Sequence, residues 1–350
     1  MVIAFSGGGT LGHIYPAISI AKQYKKKYPQ SRIIFILTQK EKQYIKNLNI
    51  KEIDYIYYFD ACGLSKNPFK IIKGIVKNIL VINQIKKILK EELVDVIIGM
   101  GGYISTLSIY SGIKLKKKTI IHEQNSIMGI GNKFVEKYVD LVLLTFNNKK
   151  VKNKNKIIVG NPRYYDAKNT KTNYFKSNKN ILVTSGTLGA KKINDVIIDF
   201  LNNEESKQYT TTLITGKRYY NDVITKLIPG KHYEVLPFTN DMLNLMNKSG
   251  IVISRSGATT MYEILGTTSI GIYIPSPNVI GNHQYYNAKE FDNKSLCLLI
   301  EEDNLNSLCL IDAINNIKNN YKRYIYNICQ YQNTLNKIEI TDLINEVVNK

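Results

Sequence analysis

The sequence predicts an α/β fold in which two Rossmann-like domains follow one another along the chain, and three observations support this prediction. Short, continuously apolar segments rich in β-branched residues alternate with helical segments in both halves, as buried parallel strands joined by helices do. The tetrapeptide G-T-L-G follows the first predicted strand of each half, at 9–12 and at 186–189. A length of 350 residues also suits two domains.

The elements follow from this alternation. Strands are predicted in the first half at 2–6, 32–38, 53–59, 95–100, 118–123, 141–146 and 157–160, with helices between them, for example at 16–27 and 104–113. Residues 161–179 are polar, rich in Lys and Asn, and begin with Asn-Pro, so we predict a linker or hinge there. Strands of the second half are predicted at 181–185, 211–215, 233–238, 250–254, 269–275 and 296–301, followed by a helical tail from about 306.

We therefore expect one domain at residues 1–162 and a second at 163–350, with the last helix, about 330–350, packing back on the first domain. Sheets of this kind bind ligands at the carboxyl ends of their strands. The expected binding site is consequently a cleft between the two domains.

Composition narrows the classes of protein that remain. The formal net charge of +20 has two interpretations, which stay open here: a Lys-, Asn-, Ile- and Tyr-rich composition typical of an AT-rich genome, or attraction to nucleic acid or an anionic bilayer. The four cysteines, Cys62, Cys297, Cys309 and Cys329, form no C-x-x-C pair, which predicts a reduced, cytosolic protein without disulfides or zinc. The N-terminus reads as a strand rather than a signal peptide, and no apolar run reaches the ~20 residues of a membrane span.

The segment "SGGGTLGHIYP" at 6–16 places Gly7, Gly9 and Gly12 in the spacing G-x-G-x-x-G between a strand and a helix. Such a loop lets backbone N–H groups approach a phosphate at a helix N-terminus, and Pro16 suits the first turn of that helix. A nicotinamide dinucleotide is disfavoured because the second strand ends in "LTQK" without the acidic residue that would bind ribose; Glu41 falls in a helix start. We expect a phosphate or diphosphate here and in the second loop.

His13 stands at the end of the first loop. An imidazole titrates near pH ~6.5 and can remove a proton from a hydroxyl nucleophile. The alternative is a histidine that only caps the loop or the helix by hydrogen bonds.

Seven segments in this order closely resemble the MurG family, the N-acetylglucosaminyltransferases of bacterial peptidoglycan synthesis: "GGGTLGH" (7–13), "GMGGYIS" (99–105), "IIHEQNSIMGIGNK" (120–133), "VGNPR" (159–163), "SGTLGAKKIN" (185–194), "ISRSGATTMYEI" (253–264) and "IPSPNVIGNHQYYNA" (274–288). The similarity runs from residue 2 to about 300. It implies a GT-B fold and an inverting transfer of GlcNAc from UDP-GlcNAc to the C4 hydroxyl of MurNAc in lipid I, giving lipid II. No cofactor and no metal are expected.

The resemblance also implies roles for individual residues. Glu263 would accept hydrogen bonds from the ribose hydroxyls, the backbone of Thr239 would bind the uracil edge, and His13 would be the catalytic base. The remaining donor contacts would come from Thr10, Gly12, Asn125, Arg163, Thr187, Phe238, Ser256, Gly257, Ala258, Thr259, Thr260, Gln284 and Asn287. His283 is either a ligand or a polar loop residue, and Phe238 is either near the base or part of the core.

On the acceptor side the resemblance implies Gly8, Gly9, Tyr103 and Asn125. His122, Glu123 and Gln124 follow a predicted strand, and for His122 and Glu123 a buried polar network is an equal alternative. The sequence departs from the family at Leu11 and Ser185, where glycine is usual, at Thr187, where serine is usual, and at Arg163, which comes one position early.

Residues 64–90 intersperse lysines with Leu64, Phe69, Ile71, Ile72, Ile75, Val76, Ile79 and Leu80. A basic amphipathic segment of this type can lie in a membrane interface, and the alternative is a helix that faces the core. The lipid acceptor favours a peripheral protein on the cytoplasmic face of an anionic cell membrane, with cell-wall synthesis proteins as partners, in the context of cell shape and division, and without nucleic acid.

Three alternative functions remain. Other GT-B enzymes include diacylglycerol glucosyltransferases and UDP-GlcNAc 2-epimerases, and the H-E-Q-N segment argues against both. An NAD-dependent oxidoreductase would use the first glycine loop. A non-enzymatic basic protein would bind polyanions with a steep salt dependence.

Overall fold

The computed structural model describes residues 1–45, 50–63, 68–170, 176–186, 189–335 and 338–350. Contacts divide the chain into two compact units. The first contains Met1–Pro162 and Ile338–Lys350, and the second contains Arg163–Lys337.

The described part of the first unit forms a parallel sheet of seven strands in the order β3-β2-β1-β4-β5-β6-β7. The strands are β1 (Val2–Ser6), β2 (Arg32–Thr38), β3 (Tyr55–Phe59), β4 (Val96–Gly99), β5 (Lys118–Glu123), β6 (Leu141–Leu144) and β7 (Lys156–Ile158). The helices are α1 (Leu11–Lys27), α2 (Lys42–Ile45), α3 (Pro68–Glu91), α4 (Tyr103–Lys114) and α5 (Ile130–Val135).

The second unit has a parallel sheet of six strands in its described part, in the order β10-β9-β8-β11-β12-β13. Its elements are α6 (Arg163–Asn169), β8 (Ser177–Thr184), α7 (Lys191–Leu201), β9 (Thr210–Ile214), α8 (Tyr220–Ile224), β10 (Tyr233–Leu236), α9 (Met242–Lys248), β11 (Ser249–Ser254), α10 (Ala258–Gly266), β12 (Ile270–Tyr273), α11 (His283–Asp292), β13 (Cys297–Leu299), α12 (Ser307–Asn319) and α13 (Tyr321–Leu335). The chain then returns to the first unit as α14 (Ile340–Asn349).

The first sheet separates two hydrophobic layers. On one face α1 packs with α14, whose Ile340, Ile344 and Val347 are buried in the same cluster as Ile14. The opposite face is covered by α3, α4 and α5, represented in its cluster by Val81, Ile85, Ile104, Ile109 and Val135. This placement follows from the strand order, because right-handed crossovers put helices on opposite faces when the order reverses.

The predicted α/β class is confirmed, and every predicted strand overlaps a strand of the structure. Two local predictions were wrong. Part of the expected linker is helix α6, whose Tyr164 and Ala167 are buried; Gly266 lets α6 approach α10 so closely that an added Cβ would lie 2.5 Å from the Tyr164 carbonyl oxygen. Helix α1 begins at Leu11, so Pro16 lies beyond its first turn. The four cysteines are free.

Lys176 is a half-buried lysine directly before β8, near the ends of several elements of the second unit. Its Nζ donates to the carbonyl oxygens of Thr267 (2.6 Å), Ser249 (3.2 Å) and Met246 (3.5 Å) and to the Ser269 hydroxyl (2.6 Å). These acceptors stabilise the ammonium, but burial lowers the pKa of Lys176 to about 7.

This shift predicts a pH-dependent stability. Because the folded-state pKa lies below the ordinary lysine value of 10.5, the unfolded chain binds more protons between about pH 7 and 10.5, and stability rises with pH across that window. We expect the free energy of unfolding to increase by about 2 kcal/mol more between pH 7 and 9 in the wild type than in Lys176→Met. Urea denaturation at both pH values measures this difference, and identical pH dependences would contradict it.

Candidate active site

The carboxyl ends of β1, β4 and β5 lie side by side in the first sheet, since these strands are neighbours. The loops that follow them carry most of the residues predicted for the acceptor side. Met100 N donates to the Ser6 carbonyl (2.7 Å), and Gln124 Nε2 donates to the Met100 carbonyl (3.0 Å). The fold therefore brings the loop after β1 next to the loops after β4 and β5, which come much later in the sequence.

Two backbone N–H groups of the first glycine loop donate hydrogen bonds to other groups of the protein. Gly8 N donates to the Gly101 carbonyl (3.2 Å), and Gly9 N donates to Oε1 of Glu41 (2.9 Å). Glu41 is 3% exposed and lies in the short 3-10 helix that follows β2. The interpretation of this loop as a phosphate cradle therefore fails at Gly8 and Gly9, because a carboxylate and a carbonyl already occupy their N–H groups.

Two glycines after β4 allow the second loop to approach the first. Gly102 has φ 82° and ψ 167°, a region that only glycine populates readily, and an added Cβ would overlap the Gly8 carbonyl oxygen. At Gly101, with φ 107°, an added Cβ would lie 2.9 Å from Nε2 of His13. Side chains at either position would separate the two loops and move the His13 ring.

His13 lies in the first turn of α1 and is partly exposed. Its Nδ1 is 2.7 Å from the Gly8 carbonyl oxygen. A carbonyl can only accept, so Nδ1 carries the proton, and Nε2 of the neutral ring has a lone pair. That tautomer suits a base, and the contact also orients the ring, so the two readings of His13 from the sequence are compatible. Thr10, the N-cap residue of α1, is exposed and its side chain makes no capping hydrogen bond.

His122, Glu123 and Gln124 are buried and shape the loop after β5. Nε2 of His122 donates to the Gly160 carbonyl (3.0 Å), and burial lowers the pKa of His122 to about 4. Glu123 accepts from Asn125 N (3.0 Å), from Gly129 N (3.0 Å) and from Nδ2 of Asn132 (2.9 Å). These contacts favour the buried-network alternative for His122 and Glu123, and Asn125, which is half-buried, follows them in the loop. Tyr103 is the first residue of α4.

In the second unit, the loop after β11 leads into α10 and carries the predicted diphosphate residues. Ser256 is fully buried, and its hydroxyl donates to the Gln284 carbonyl (2.9 Å), so this side chain supports the loop. Nδ2 of Asn287 donates to the Ser256 carbonyl (3.3 Å), and the Gln284 side-chain oxygen accepts from Ser276 N (2.9 Å). The loop before α10 is therefore hydrogen-bonded to α11. Helix α10 has Gly257 as its N-cap, and Ala258, Thr259 and Thr260 form its first turn.

Glu263, which is buried, and Arg163, which is half-buried, form an ion pair. Nε and Nη2 of Arg163 lie 2.7 and 2.6 Å from Oε1 of Glu263, and Nη1 lies 2.7 Å from Asp166. Burial raises the pKa of the Glu263 carboxyl, and the guanidinium opposes that shift. Burial also disfavours the charged Arg163, but the two carboxylates raise its pKa. A ribose diol would have to share this carboxylate with Arg163.

Phe238, Thr239 and His283 follow the carboxyl ends of strands in the second sheet. Phe238 is 41% exposed after β10, with Nζ of Lys217 5.5 Å from its ring centroid, so it is not a core residue. The Thr239 hydroxyl accepts from Asp241 N (2.9 Å). His283 is partly buried at the start of α11, and its Nδ1 is 3.0 Å from the Ile280 carbonyl. Thr187 lies outside the described residues.

Sequence reasoning missed two carboxylates. Asp166 was assigned to a linker, and its i,i+3 spacing from Arg163 becomes informative only once α6 is recognised as a helix. Glu41 was considered only as a possible ribose ligand. In the described part of the chain, no group of three or more His, Cys, Asp or Glu side chains is placed to hold a metal ion.

Comparison with known proteins gives a consistent result. The models of the glycosyltransferase family 28 N-terminal and C-terminal domains match residues 3–144 and 180–344. The chain is 33% identical to the UDP-N-acetylglucosamine--N-acetylmuramyl-(pentapeptide) pyrophosphoryl-undecaprenol N-acetylglucosamine transferase of Alkaliphilus oremlandii, over 91% of each chain. It is 31% identical to the same-named protein of Lactococcus lactis subsp. lactis, over 93% of this chain and 92% of the relative. The crystal structure of Acinetobacter baumannii MurG matches with a TM-score of 0.75 at 21% identity, over 99% of both chains.

The close approach at Gly102 gives a stability prediction. We expect Gly102→Ala to lower the free energy of unfolding by about 3 kcal/mol or more, because backbone strain and overlap with the Gly8 carbonyl add. The matched control is Gly281→Ala, where φ is 66° but an added Cβ has nothing within 4 Å; strain alone should cost about 1 kcal/mol there. Urea denaturation of both variants measures the difference, and equal losses would refute the close-approach argument.

Proposed function

Because the chain belongs to the family of UDP-N-acetylglucosamine–N-acetylmuramyl-(pentapeptide) pyrophosphoryl-undecaprenol N-acetylglucosamine transferases, we propose that it catalyses the reaction this name describes. GlcNAc moves from UDP-GlcNAc to the C4 hydroxyl of MurNAc in lipid I, with inversion at the anomeric carbon. The product is lipid II, the disaccharide precursor of peptidoglycan. The observation that carries the proposal is the family membership over more than nine tenths of the chain, together with the tautomer of His13.

The second unit binds the donor in this proposal. Glu263 and the Arg163 guanidinium beside it bind the ribose. Phe238 and the Thr239 backbone bind uracil, and the N-terminus of α10 binds the diphosphate. Amide groups and the helix dipole at that terminus stabilise the negative charge that develops on UDP as the bond between C1 and the phosphate oxygen breaks. Gln284 and Asn287 hold the loop that shapes this end of the helix.

The first unit binds the acceptor through the loops at Gly8, Tyr103 and Asn125. The C4 hydroxyl oxygen of MurNAc attacks C1 of GlcNAc, and its proton passes to Nε2 of His13. A neutral ring whose Nδ1–H is held by the Gly8 carbonyl has its lone pair on Nε2, as a general base requires. UDP leaves as the new β-1,4 bond forms.

We also propose that the first unit docks on the cytoplasmic face of the membrane as a peripheral protein. Ile75, Val76, Ile79 and Leu80 on α3 are between 52 and 59% exposed, which leaves a continuous apolar strip on the face of α3 away from the sheet. Leu64 lies outside the described residues, as do the side chains of Phe69, Ile71 and Ile72. Among the described helices, none has the length and apolar character to cross a membrane.

Helix α5 and the turn after it add to this surface. Ile130, Phe134 and Tyr138 are 67 to 70% exposed, with the exposed Lys133 and Lys137 beside them. Since α3, α4 and α5 cover the same face of the sheet, both apolar groups lie on one layer of the unit. Apolar side chains flanked by lysines match an anionic bilayer. This surface and the net charge of +20 favour an anionic membrane over nucleic acid as the partner. Cell-wall synthesis proteins at that membrane are the proposed protein partners. Such partners would link the chain to cell shape and division.

One assay separates the proposal from its alternatives. Purified protein is incubated with radiolabelled UDP-GlcNAc and a lipid I analogue, and the disaccharide product is sought. A 2-epimerase would convert UDP-GlcNAc without the acceptor, and a diacylglycerol glucosyltransferase would require a different one. Folded protein that forms no disaccharide would overturn the proposal. An oxidoreductase is further disfavoured because Glu41, the acid nearest the first glycine loop, binds Gly9 N instead of facing a ribose.

Two variants should separate binding from chemistry. We expect Glu263→Gln to raise the Kd for UDP about tenfold, because one charged acceptor for the ribose diol is lost. The effect should be smaller for 2′-deoxyuridine diphosphate, which lacks one of the hydroxyls. His13→Ala should leave the Kd for UDP within about twofold and lower kcat about a hundredfold. Calorimetry and the product assay measure these values, and a His13→Ala enzyme with normal kcat would remove the base assignment.

The membrane surface predicts a defect in lipid binding. We expect the double variant Ile79→Glu, Leu80→Glu to lose at least about tenfold in affinity for vesicles containing anionic phospholipid, because two apolar side chains of the strip become charged. Vesicle cosedimentation measures the affinity. The control is the double variant Leu308→Glu, Ile228→Glu in the second unit, where Leu308 and Ile228 are 71 and 63% exposed and the charge change is the same. Equal losses in both variants would point to net charge alone.

A further inference from the structure

One peptide group of the first unit joins a buried carboxylate to the His13 ring. The carbonyl of Gly8 and the N–H of Gly9 belong to the same peptide. The carbonyl accepts from Nδ1 of His13 (2.7 Å), and the N–H donates to Oε1 of Glu41 (2.9 Å). Glu41 and His13 therefore contact opposite ends of a single planar, conjugated group.

The carboxylate is held firmly in this position. Its other oxygen, Oε2, accepts from the Thr38 N–H (2.8 Å) and from the Thr38 hydroxyl. Glu41 is 3% exposed, and an added Cβ at Gly8 would lie 3.2 Å from Oε2. The contact with Gly9 is consequently set by a closely packed turn at the end of β2 rather than by a mobile surface side chain.

A carboxylate that accepts from the peptide N–H draws electron density toward the carbonyl oxygen at the other end. Hydrogen bonds in such chains strengthen one another, most of all in a buried setting. The Gly8 carbonyl thus becomes a stronger acceptor for Nδ1–H of His13. This favours the tautomer with its lone pair on Nε2, and it stabilises the positive ring that forms when Nε2 takes a proton.

We propose that Glu41 is a positioning residue for the transfer reaction, acting on His13 through the Gly8–Gly9 peptide. The inference rests on the proposed function, with His13 as the base. The arrangement does for His13 what a carboxylate in direct contact with Nδ1 does in a Ser-His-Asp triad, with one peptide group inserted between carboxylate and ring. Glu41 itself touches neither substrate in this proposal.

The test uses Glu41→Gln with a matched control elsewhere in the same unit. Asp140 accepts from the Thr119 N–H (2.7 Å) and the Thr119 hydroxyl (3.0 Å), as Glu41 does from Thr38, but it has no contact with the Gly8–Gly9 peptide. We expect Glu41→Gln to lower kcat about tenfold or more while KM for UDP-GlcNAc stays within about twofold. Asp140→Asn should change kcat by less than about twofold at a comparable loss of thermal stability.

A double-mutant cycle with His13→Ala shows whether Glu41 acts through the ring. In the His13→Ala background, Glu41→Gln should lower the remaining kcat by less than about twofold. A full additional loss in that background would overturn the proposal, since it would assign Glu41 a role independent of His13. Should Glu41→Gln fail to fold, Glu41→Asp retracts the charge from Gly9 by one methylene, and its kcat must then fall further than that of Asp140→Asn.

A spectroscopic measurement is independent of turnover. The imidazole ¹⁵N shifts of His13 are assigned by comparison with His13→Ala. In the wild type, at a pH where the His13 ring is neutral, they should report a protonated Nδ1 and an unprotonated Nε2. Glu41→Gln should increase the population of the Nε2–H tautomer, and Asp140→Asn should not. An unchanged tautomer population in folded Glu41→Gln would overturn the proposed role of Glu41, even if the wild type makes product. A wild type that makes no product would instead overturn the proposed function.

Discussion

The first unit is organised around the close contact of two glycine-containing loops. Gly8 donates to the Gly101 carbonyl, and Gly102 leaves room for the Gly8 carbonyl to reach the His13 ring. This contact requires β1 and β4 to be neighbours, which the strand order provides. Any side chain at Gly102 would break it, because the carbonyl oxygen occupies the space that a Cβ needs. The orientation of His13 therefore depends on backbone geometry more than on other side chains.

The same contact changes how the glycines of the first loop are understood. A glycine-rich turn before a helix is usually explained by a bound phosphate that approaches the amides. Here the approaching groups are the protein's own, the Glu41 carboxylate at Gly9 and the Gly101 carbonyl at Gly8. A bound phosphate and an internal acceptor both require residues without side chains at this turn. The glycine pattern in the sequence is therefore the same, although the group that contacts the amides differs. An internal carboxylate also repels an anion, which argues against a second diphosphate at these two amides.

In the second unit, buried and half-buried ionisable groups are arranged in pairs or surrounded by acceptors. Arg163 bridges Glu263 and Asp166, and the Lys176 ammonium contacts three carbonyls and a hydroxyl. Removing Arg163 would leave the Glu263 carboxylate, whose side chain is 11% exposed, without its charged partner, which costs several kcal/mol. Glu263 is consequently constrained before any nucleotide arrives. The proposed ribose contact uses a carboxylate whose position is already determined by α6, a helix that sequence reasoning assigned to a linker.

The sequence by itself determined the α/β class, the alternation and approximate bounds of the strands, and the family, because these are carried by local periodicity and by contiguous motifs. The sequence did not predict the helix at residues 163–169, because a short polar helix has no strong apolar period and is stabilised by packing on α10. Only the tertiary structure decided which carboxylate faces which partner: Glu41 with Gly9, and Glu263 with Arg163 at a separation of 100 residues. The physical reason is that hydrogen bonds and ion pairs act over a few ångströms, and the strand order brings together groups that the chain keeps far apart.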